Sequence, residues 1–236
     1  MNTTDWVVIG TALFLGACAL FVPYLSELIK RKAFKPDIKI FFDLAPPYCH
    51  LTFWRTPPQA IEQINEPVYY FRFQVSNENG KSTANNCEVY LEKLWIYDSS
   101  NRPKQYPNFS PVNMIWVGPK NIVVNLNPGR KIFCDIGHIS SRNYQEQKEK
   151  INFIDVHGYK SNDLRFMLDS KQNYNSQPNC LGPGKYIIQV SFYCENAPTQ
   201  KLFYEISWSG KWNEIEDHMF REIVIEPVNE PKTKNN

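Results

Sequence analysis

Residues 68–76 read VYYFRFQVS, and large apolar side chains alternate in them with mostly polar ones. Successive side chains of a β-strand point to opposite faces of its sheet, so one face of this strand is predicted to be buried. The side chains assigned to that face are Tyr69, Phe71, Phe73 and Val75. The turn-forming residues 77–80, NENG, follow directly. We therefore predict a half-buried strand that ends in a turn.

Three more stretches alternate in the same way, at residues 84–97, 186–194 and 202–208. In the first of these, the apolar parity shifts after Leu91, which predicts a β-bulge near Glu92 and Lys93. No stretch after Lys35 keeps a helical period over three turns. Many short strands separated by turn signals predict a mainly β domain, built as an antiparallel β-sandwich. Weaker strand patterns occur at residues 37–44, 50–54, 113–117, 121–126, 131–136, 164–168 and 220–226.

The N-terminal segment has a different character. Residues 6–25, WVVIGTALFLGACALFVPYL, contain no charged side chain. Twenty helical residues rise about 30 Å, which matches the hydrocarbon core of a bilayer. A cleaved signal peptide needs a positively charged start and a short apolar core, whereas residues 1–5, MNTTD, lack lysine and arginine. We therefore predict a single, uncleaved N-terminal transmembrane α-helix before the sandwich.

Flanking residues predict how this helix lies in the membrane. Trp6 and Tyr24 lie at its two ends, where aromatic rings favour the bilayer interface. No lysine or arginine precedes the helix, and the basic residues that follow it are Lys30, Arg31, Lys32 and Lys35. Because cytoplasmic flanks are enriched in basic residues, we expect a single-pass protein of the cell inner membrane with its N-terminus outside and its domain in the cytoplasm. An extracytoplasmic domain is the alternative.

Charge is distributed unevenly along the chain. The protein has 26 basic and 24 acidic residues, of which four basic and two acidic ones lie in residues 1–35. The rest of the chain therefore carries 22 of each sign and is neutral overall. A domain that binds nucleic acid normally presents a basic face. The expected partners are the lipid bilayer and another protein, and not nucleic acid.

The six cysteines favour free thiols over a disulfide framework. Cys18 lies in the apolar segment, and the other five are an odd number at irregular spacings. A secreted framework would favour an even set, whereas buried thiols in a reducing compartment need no pairing. The five domain cysteines are Cys49, Cys87, Cys134, Cys180 and Cys194.

These patterns divide the chain into an anchor with its basic flank at residues 1–35, a β-sandwich domain at 36–226 and a disordered tail at 227–236. Residues 75–91 combine an Asn-x-Asn-Gly turn with an Ala-Asn-Asn-Cys-Glu-Val strand entry, and residues 183–186 read Pro-Gly-x-Tyr. Both segments resemble hairpins of bacterial membrane-anchored immunoglobulin-like β-sandwich proteins of unassigned function. The resemblance implies an immunoglobulin-like fold and assigns no site residues.

Residues with catalytic or ligand chemistry form no recognisable motif. The four histidines lack metal-ligand spacing, and the only local pairs are Cys49 with His50 and Asp155 with His157. The chain also lacks a G-x-S-x-G elbow, a P-loop and a G-x-G-x-x-G sequence. We predict no catalytic, cofactor-binding or metal-binding residue. The side chains that could line a carbohydrate or peptide surface, or else fill the core, are Trp54, Trp208 and Trp212.

The sequence favours a membrane-tethered, non-enzymatic interaction module, because a sandwich offers edge strands and end loops for protein recognition. One alternative is a membrane-tethered hydrolase or metal-dependent enzyme, and another is an extracytoplasmic ligand sensor. Residues 139–183 are too long for a hairpin loop and contain apolar patches at 151–154 and 164–168. We expect this stretch to dock partly on the sandwich and to carry the partner surface.

Overall fold

The computed structural model describes residues 34–55, 65–119, 121–141, 164–171 and 177–231, together with residues 11, 16, 18, 19 and 21–27, which are helical. Within these ranges, no helix is both long and apolar enough to cross a membrane. Much of the predicted span, including Trp6, lies outside the described residues. The basic residues Lys30, Arg31 and Lys32 lie outside them as well.

From residue 34 onward, the described part of the chain forms fourteen strands and one short helix. In chain order these are β1 (Ile38–Phe41), β2 (Cys49–Arg55), β3 (Asn65–Asn77), β4 (Ala84–Tyr97), β5 (Pro103–Gln105), β6 (Val112–Asn113), β7 (Ile115–Trp116), β8 (Val124–Leu126), β9 (Lys131–Ser140), β10 (Phe166–Leu168), β11 (Cys180–Leu181), β12 (Gly184–Cys194), β13 (Ala197–Trp208), α1 (Glu216–Glu222) and β14 (Ile223–Val228). The prediction of a mainly β chain is confirmed.

The strands form two antiparallel sheets that pack as a sandwich. Sheet 1 has the order β1-β3-β9-β10-β11, with β2 also paired to β3 and β7 to β9. Sheet 2 has the order β14-β13-β12-β4-β5, with β6 and β8 also paired to β4. β1 and β2 lie along the same edge of β3, joined by a turn that contains the cis peptide Pro46-Pro47.

The main core lies between the two sheets and follows the alternation read from the sequence. The four predicted inward side chains of β3 are at most 1% exposed. Phe73 reaches across to β13, where its ring centroid lies 4.8 Å from that of Tyr204. The predicted bulge in β4 is also confirmed, because Leu91 pairs with Val190 and Lys93 with Gln189, which leaves Glu92 as the extra residue.

The last elements differ from the sequence prediction. Residues 216–222 form α1, so the strand predicted at 220–226 is wrong for its first three residues. Only Met219 of this helix is fully buried, and two turns are too few to show a helical period. Glu216 in its first turn suits the helix dipole. β14 then includes Pro227 and Val228, which the sequence analysis assigned to the tail.

Part of the long stretch 139–183 docks on sheet 1. The apolar patch at 164–168 supplies β10, which pairs with β9 on one side and with β11 on the other. Phe166 is fully buried in the main core, where its ring lies 5.3 Å from that of Phe71. The other predicted patch, at 151–154, lies outside the described residues.

Candidate functional site

A β-bulge in β9 shapes the outer face of sheet 1. Phe71 pairs with Gly137 and Arg72 pairs with Asp135, so Ile136 is the extra residue on β9. In a regular strand, Asp135 and His138 would point to opposite faces because they are three residues apart. The bulge places one extra residue between them, which reverses the facing of every side chain after it. Asp135 and His138 therefore both lie on the face away from the main core.

Five side chains meet on this outer face, and we call them the polar cluster: Tyr70, Arg72, Asp135, His138 and Asp169. Arg72 Nε donates a hydrogen bond to Asp135 Oδ1 over 2.8 Å. His138 Nδ1 lies 2.8 Å from Asp169 Oδ1. The Tyr70 ring connects the two pairs, with its centroid 5.4 Å from the His138 ring and 4.8 Å from the guanidinium carbon of Arg72.

Backbone contacts fix Asp169 beside the bulge. Its N–H donates to the carbonyl oxygen of Ile136, the extra residue, over 3.2 Å. One carboxylate oxygen contacts His138, whereas the other, Oδ2, is buried without a hydrogen-bond partner in the described part of the chain. An unsatisfied buried acceptor is costly, so Asp169 lowers the stability of the fold at this position.

Two side chains of the polar cluster, Asp135 and His138, are buried enough and close enough to other charges that their pKa values shift. Burial and the nearby Asp169 carboxylate raise the pKa of Asp135 to about 6, although Arg72 opposes the shift. Burial lowers the pKa of His138, but the Asp169, Asp135 and Glu66 carboxylates outweigh it and leave that pKa above its ordinary value. The folded state therefore binds protons at these two sites more tightly than the unfolded chain does.

We expect the fold to lose stability between pH 5 and pH 8. The pKa of Asp135 is about 4 in an unfolded chain and about 6 in the fold. The free energy of unfolding therefore falls as the pH rises from about 4 to above 6. His138 acts in the same direction, because its raised pKa contributes stability below about 6.5 that disappears as the histidine deprotonates. Asp135 alone accounts for a loss of about 1 kcal/mol between pH 5 and pH 8, or about 3 °C in melting temperature, and His138 adds to it.

The measurement is thermal unfolding of the full chain in mild detergent at pH 5 and pH 8. Asp135→Asn removes one of the two titrating groups and should flatten most of the difference. A melting temperature that rises from pH 5 to pH 8, or an unchanged difference in Asp135→Asn, would contradict the assignment.

The polar cluster continues sideways onto strand β2. His50 of β2 pairs with Tyr70, which in turn pairs with His138 of β9. Among the described strands, β2 pairs only with β3. On the opposite side of β2, the Leu51 N–H donates to Glu216 Oε1 of α1 over 2.8 Å. Helix α1 therefore caps the first half of this edge.

The second half of β2 presents two large aromatic side chains. Phe53 is 48% exposed and Trp54 is 54% exposed. As neighbours in a strand, they point to opposite faces of sheet 1, and Trp54 lies on the face of the polar cluster. We call Phe53, Trp54 and the side of β2 that faces away from β3 the β2 edge.

The structure separates the tryptophans that the sequence grouped together. Trp208 is buried and donates through Nε1 to the Leu164 carbonyl oxygen over 3.1 Å. Trp212 is half-buried, with its ring 5.2 Å from that of Tyr69. Trp54 is therefore the member of the three that is available for binding.

The possible metal pairs are not brought together in the described residues. Cys49 is buried in the core, whereas the neighbouring His50 points to the outer face. His157 lies outside the described residues, and His218 is exposed on α1. Across the described ranges, no group of three or more His, Cys, Asp or Glu side chains could hold a metal ion.

Of the predicted anchor residues, the structure describes Tyr24, which is 63% exposed, and Lys35, which is exposed. Sequence reasoning missed the polar cluster because period-two alternation separates Asp135 from His138. The predicted strand ended at residue 136, and the available signals lay just beyond it: Gly137, a residue type that often marks a bulge within a strand, and the parity shift from Ile136 to Ile139.

Comparison of the chain with protein-family models, curated proteins and solved structures finds no match. The functional conclusion therefore rests on the polar cluster, the β2 edge and the N-terminal segment.

Proposed function

We propose that the chain is a membrane-tethered, non-enzymatic interaction module. Residues 1–35 anchor an immunoglobulin-like β-sandwich in the cell inner membrane, as in the bacterial proteins that its hairpins resemble. The domain lies in the cytoplasm, and its β2 edge binds an extended segment of a partner protein.

The N-terminal helical residues support the anchor. Phe21, Val22, Tyr24 and Leu25 are each more than half exposed. Four large apolar side chains within five residues of a helix are unfavourable in water, whereas lipid tails would cover them. Together with the uncharged sequence at residues 6–25 and the basic residues that follow, this exposure favours a helix in the bilayer.

The observation that carries the binding proposal is the pair of exposed aromatic rings on an edge strand. A strand edge offers free N–H and C=O groups that another chain can pair with, and natural proteins usually protect such edges with charge or proline. Phe53 and Trp54 do the opposite, because they place exposed apolar surface on both sides of an edge that pairs with no other described strand. Strand addition to a sheet edge is an established mode of peptide recognition, and large aromatic side chains are enriched at binding hot spots.

The polar cluster extends this surface away from the edge. Arg72 and Tyr70 belong to residue types that are enriched at binding hot spots, and their contacts fix their orientations before a partner arrives.

Removing the two aromatic rings should release the partner without unfolding the domain. We expect the Phe53→Ser/Trp54→Ser variant to recover at least tenfold less partner than the native chain, because a hot spot is worth about 2 kcal/mol or more. Its melting temperature should stay within about 2 °C of the native value, since both side chains are about half exposed. The measurement is quantitative mass spectrometry of proteins that co-purify with the full-length chain in detergent.

Val123→Ser is the matched control, because Val123 is 38% exposed and lies beside β8 in the other sheet. Partners that bind the β2 edge should remain with this control. Equal partner recovery from the double variant and the native chain would rule out the β2 edge as the binding surface.

One observation favours a second candidate, a membrane-tethered hydrolase. A carboxylate that holds Nδ1 of a histidine leaves Nε2 free to act as a general base, and Asp169 holds His138 in this way. Hydrolysis of ester or phosphoester substrates by the native chain, abolished by His138→Gln and unaffected by Phe53→Ser/Trp54→Ser, would favour this candidate over the interaction module.

A further inference from the structure

Two cysteines of sheet 2 face each other across adjacent strands. β4 and β12 are antiparallel, with Val89 opposite Phe192 and Glu88 opposite Tyr193. Glu88 and Tyr193 are the last residues that pair, and the residues next to them are Cys87 in β4 and Cys194 in β12. Continuing the register by one residue sets these two cysteines opposite each other. Residues directly opposite in an antiparallel pair have Cα atoms about 4.5–5.5 Å apart, which is within the range that a disulfide spans.

The two thiols lie on the same face of sheet 2, where Cys87 belongs to the main core and Cys194 packs against it. Burial raises the pKa of the Cys87 thiol, and the neighbouring Cys194 thiol adds to this shift. Cys87 is buried, and its thiol donates to the Ala84 carbonyl oxygen over 3.4 Å. Cys194 is partly buried, with its thiol 3.3 Å from the Asn85 carbonyl oxygen and 3.1 Å from Asn196 Oδ1. Cys194 is thus the partly exposed member of the pair, and Cys87 is the buried one.

The other described cysteines of the domain lack this arrangement. Cys49 is opposite Phe71, Cys134 is opposite Phe73 and Trp116, and Cys180 is opposite Met167. All three belong to sheet 1, whereas Cys87 and Cys194 belong to sheet 2. All are free thiols in this structure.

We propose that Cys87 and Cys194 form a thiol pair that a small-molecule disulfide, such as oxidised glutathione, converts into an intramolecular disulfide. The Cys194 thiolate attacks the small disulfide, forms a mixed disulfide and releases one thiol. The Cys87 sulfur then attacks the Cys194 sulfur, closes the protein disulfide and releases the second thiol. The two protons lost by the protein leave on the two released thiols, and the small disulfide is the species reduced.

This crosslink would join the two central strands of sheet 2 at the end where the chain enters the domain. Asn196, in the β12–β13 turn, accepts a hydrogen bond from Asn85 N–H and donates one to the Thr83 carbonyl oxygen. Ser82 N–H in turn donates to the Phe34 carbonyl oxygen over 2.6 Å. The oxidation state of the pair would therefore set the rigidity of the region next to the predicted membrane anchor.

The test is peptide mapping of the full-length chain in detergent after treatment with oxidised glutathione at pH 8. We expect two of the six thiols to be lost, a Cys87–Cys194 linked peptide, and a melting temperature several degrees above that of the reduced chain. Burial raises the pKa of Cys87 to about 12, so closure should be faster at pH 9 than at pH 7.

Two cysteine variants test whether the disulfide forms at this pair and at no other cysteine. Cys194→Ser should lose both the linked peptide and the rise in melting temperature, whereas Cys180→Ser, in sheet 1, should retain them. A stable glutathione adduct on Cys194, a crosslink between two chains, a linkage to another cysteine, or no thiol loss would each overturn the proposal.

Discussion

Replacing Phe73 with alanine is expected to destabilise the domain by about 3–5 kcal/mol. The side chain is 1% exposed and lies where the two sheets meet. Its ring contacts Tyr204 of β13 at 4.8 Å and Phe42, beyond β1, at 5.9 Å between centroids. Truncation would remove the buried apolar surface and leave a cavity that two strongly paired sheets cannot close.

The neighbouring Gln74 provides the control for Phe73, because it lies on the same strand but points to the outer face. Gln74→Ala should change the free energy of unfolding by less than about 0.5 kcal/mol. The measurement is chemical unfolding of the full chain in mild detergent. Equal effects of the two substitutions would mean that the inward face of β3 is assigned incorrectly.

Replacing Gly137 with alanine is expected to cost about 3 kcal/mol through steric overlap. A Cβ atom at this position would lie 2.1 Å from the Met167 carbonyl oxygen and 2.6 Å from Phe166 Cε1. The Met167 oxygen belongs to the backbone of β10, so the overlap can be removed only if β10 moves away from β9. Asp169 follows β10 directly, and the same movement should separate it from His138.

Gly137→Ala should therefore lower stability and also reduce the pH dependence of stability between pH 5 and pH 8. Lys131→Ala, at an exposed position of the same strand, should change neither. A free energy of unfolding for Gly137→Ala within about 0.5 kcal/mol of the native value would show that β10 does not approach β9 this closely.

Side-chain alternation was sufficient to predict the strands that carry the core. In β3, β12 and β13, apolar and polar residues alternate because one face of each strand meets the opposite sheet, and burial imposes that pattern on the sequence. The bulge in β4 was also readable, because the shift from Leu91 to Leu94 changes the parity of the buried side chains.

The bulge in β9 has the same kind of signal, because its buried apolar side chains alternate through Ile132, Cys134 and Ile136 and then shift parity to Ile139. The sequence analysis ended this strand at residue 136, so the shift was not recognised, and the pairing of Gly137 with Phe71 reveals it. The polar cluster also depends on Asp169, which is 31 residues from His138 in sequence. No local pattern can predict a contact that strand pairing alone creates.

Helix α1 and the β2 edge depend on tertiary structure in a similar way. α1 spans seven residues and buries Met219 in the main core, so it is held by packing and not by its own helical propensity. The exposure of Phe53 and Trp54 follows from the position of β2 at the side of sheet 1, which the sequence of β2 does not specify.

The most direct measurement of membrane tethering joins fractionation to a topology reporter. Two fusions are made after Asn236. One carries a fluorescent protein that folds only in the cytoplasm, and the other carries alkaline phosphatase, which is active only outside the cytoplasm. We predict fluorescence in the carbonate-washed membrane fraction without phosphatase activity, and release to the soluble fraction when residues 1–35 are removed. Fluorescence of the full-length fusion in the soluble fraction, or phosphatase activity without fluorescence, would contradict a cytoplasmic domain anchored by the N-terminal segment.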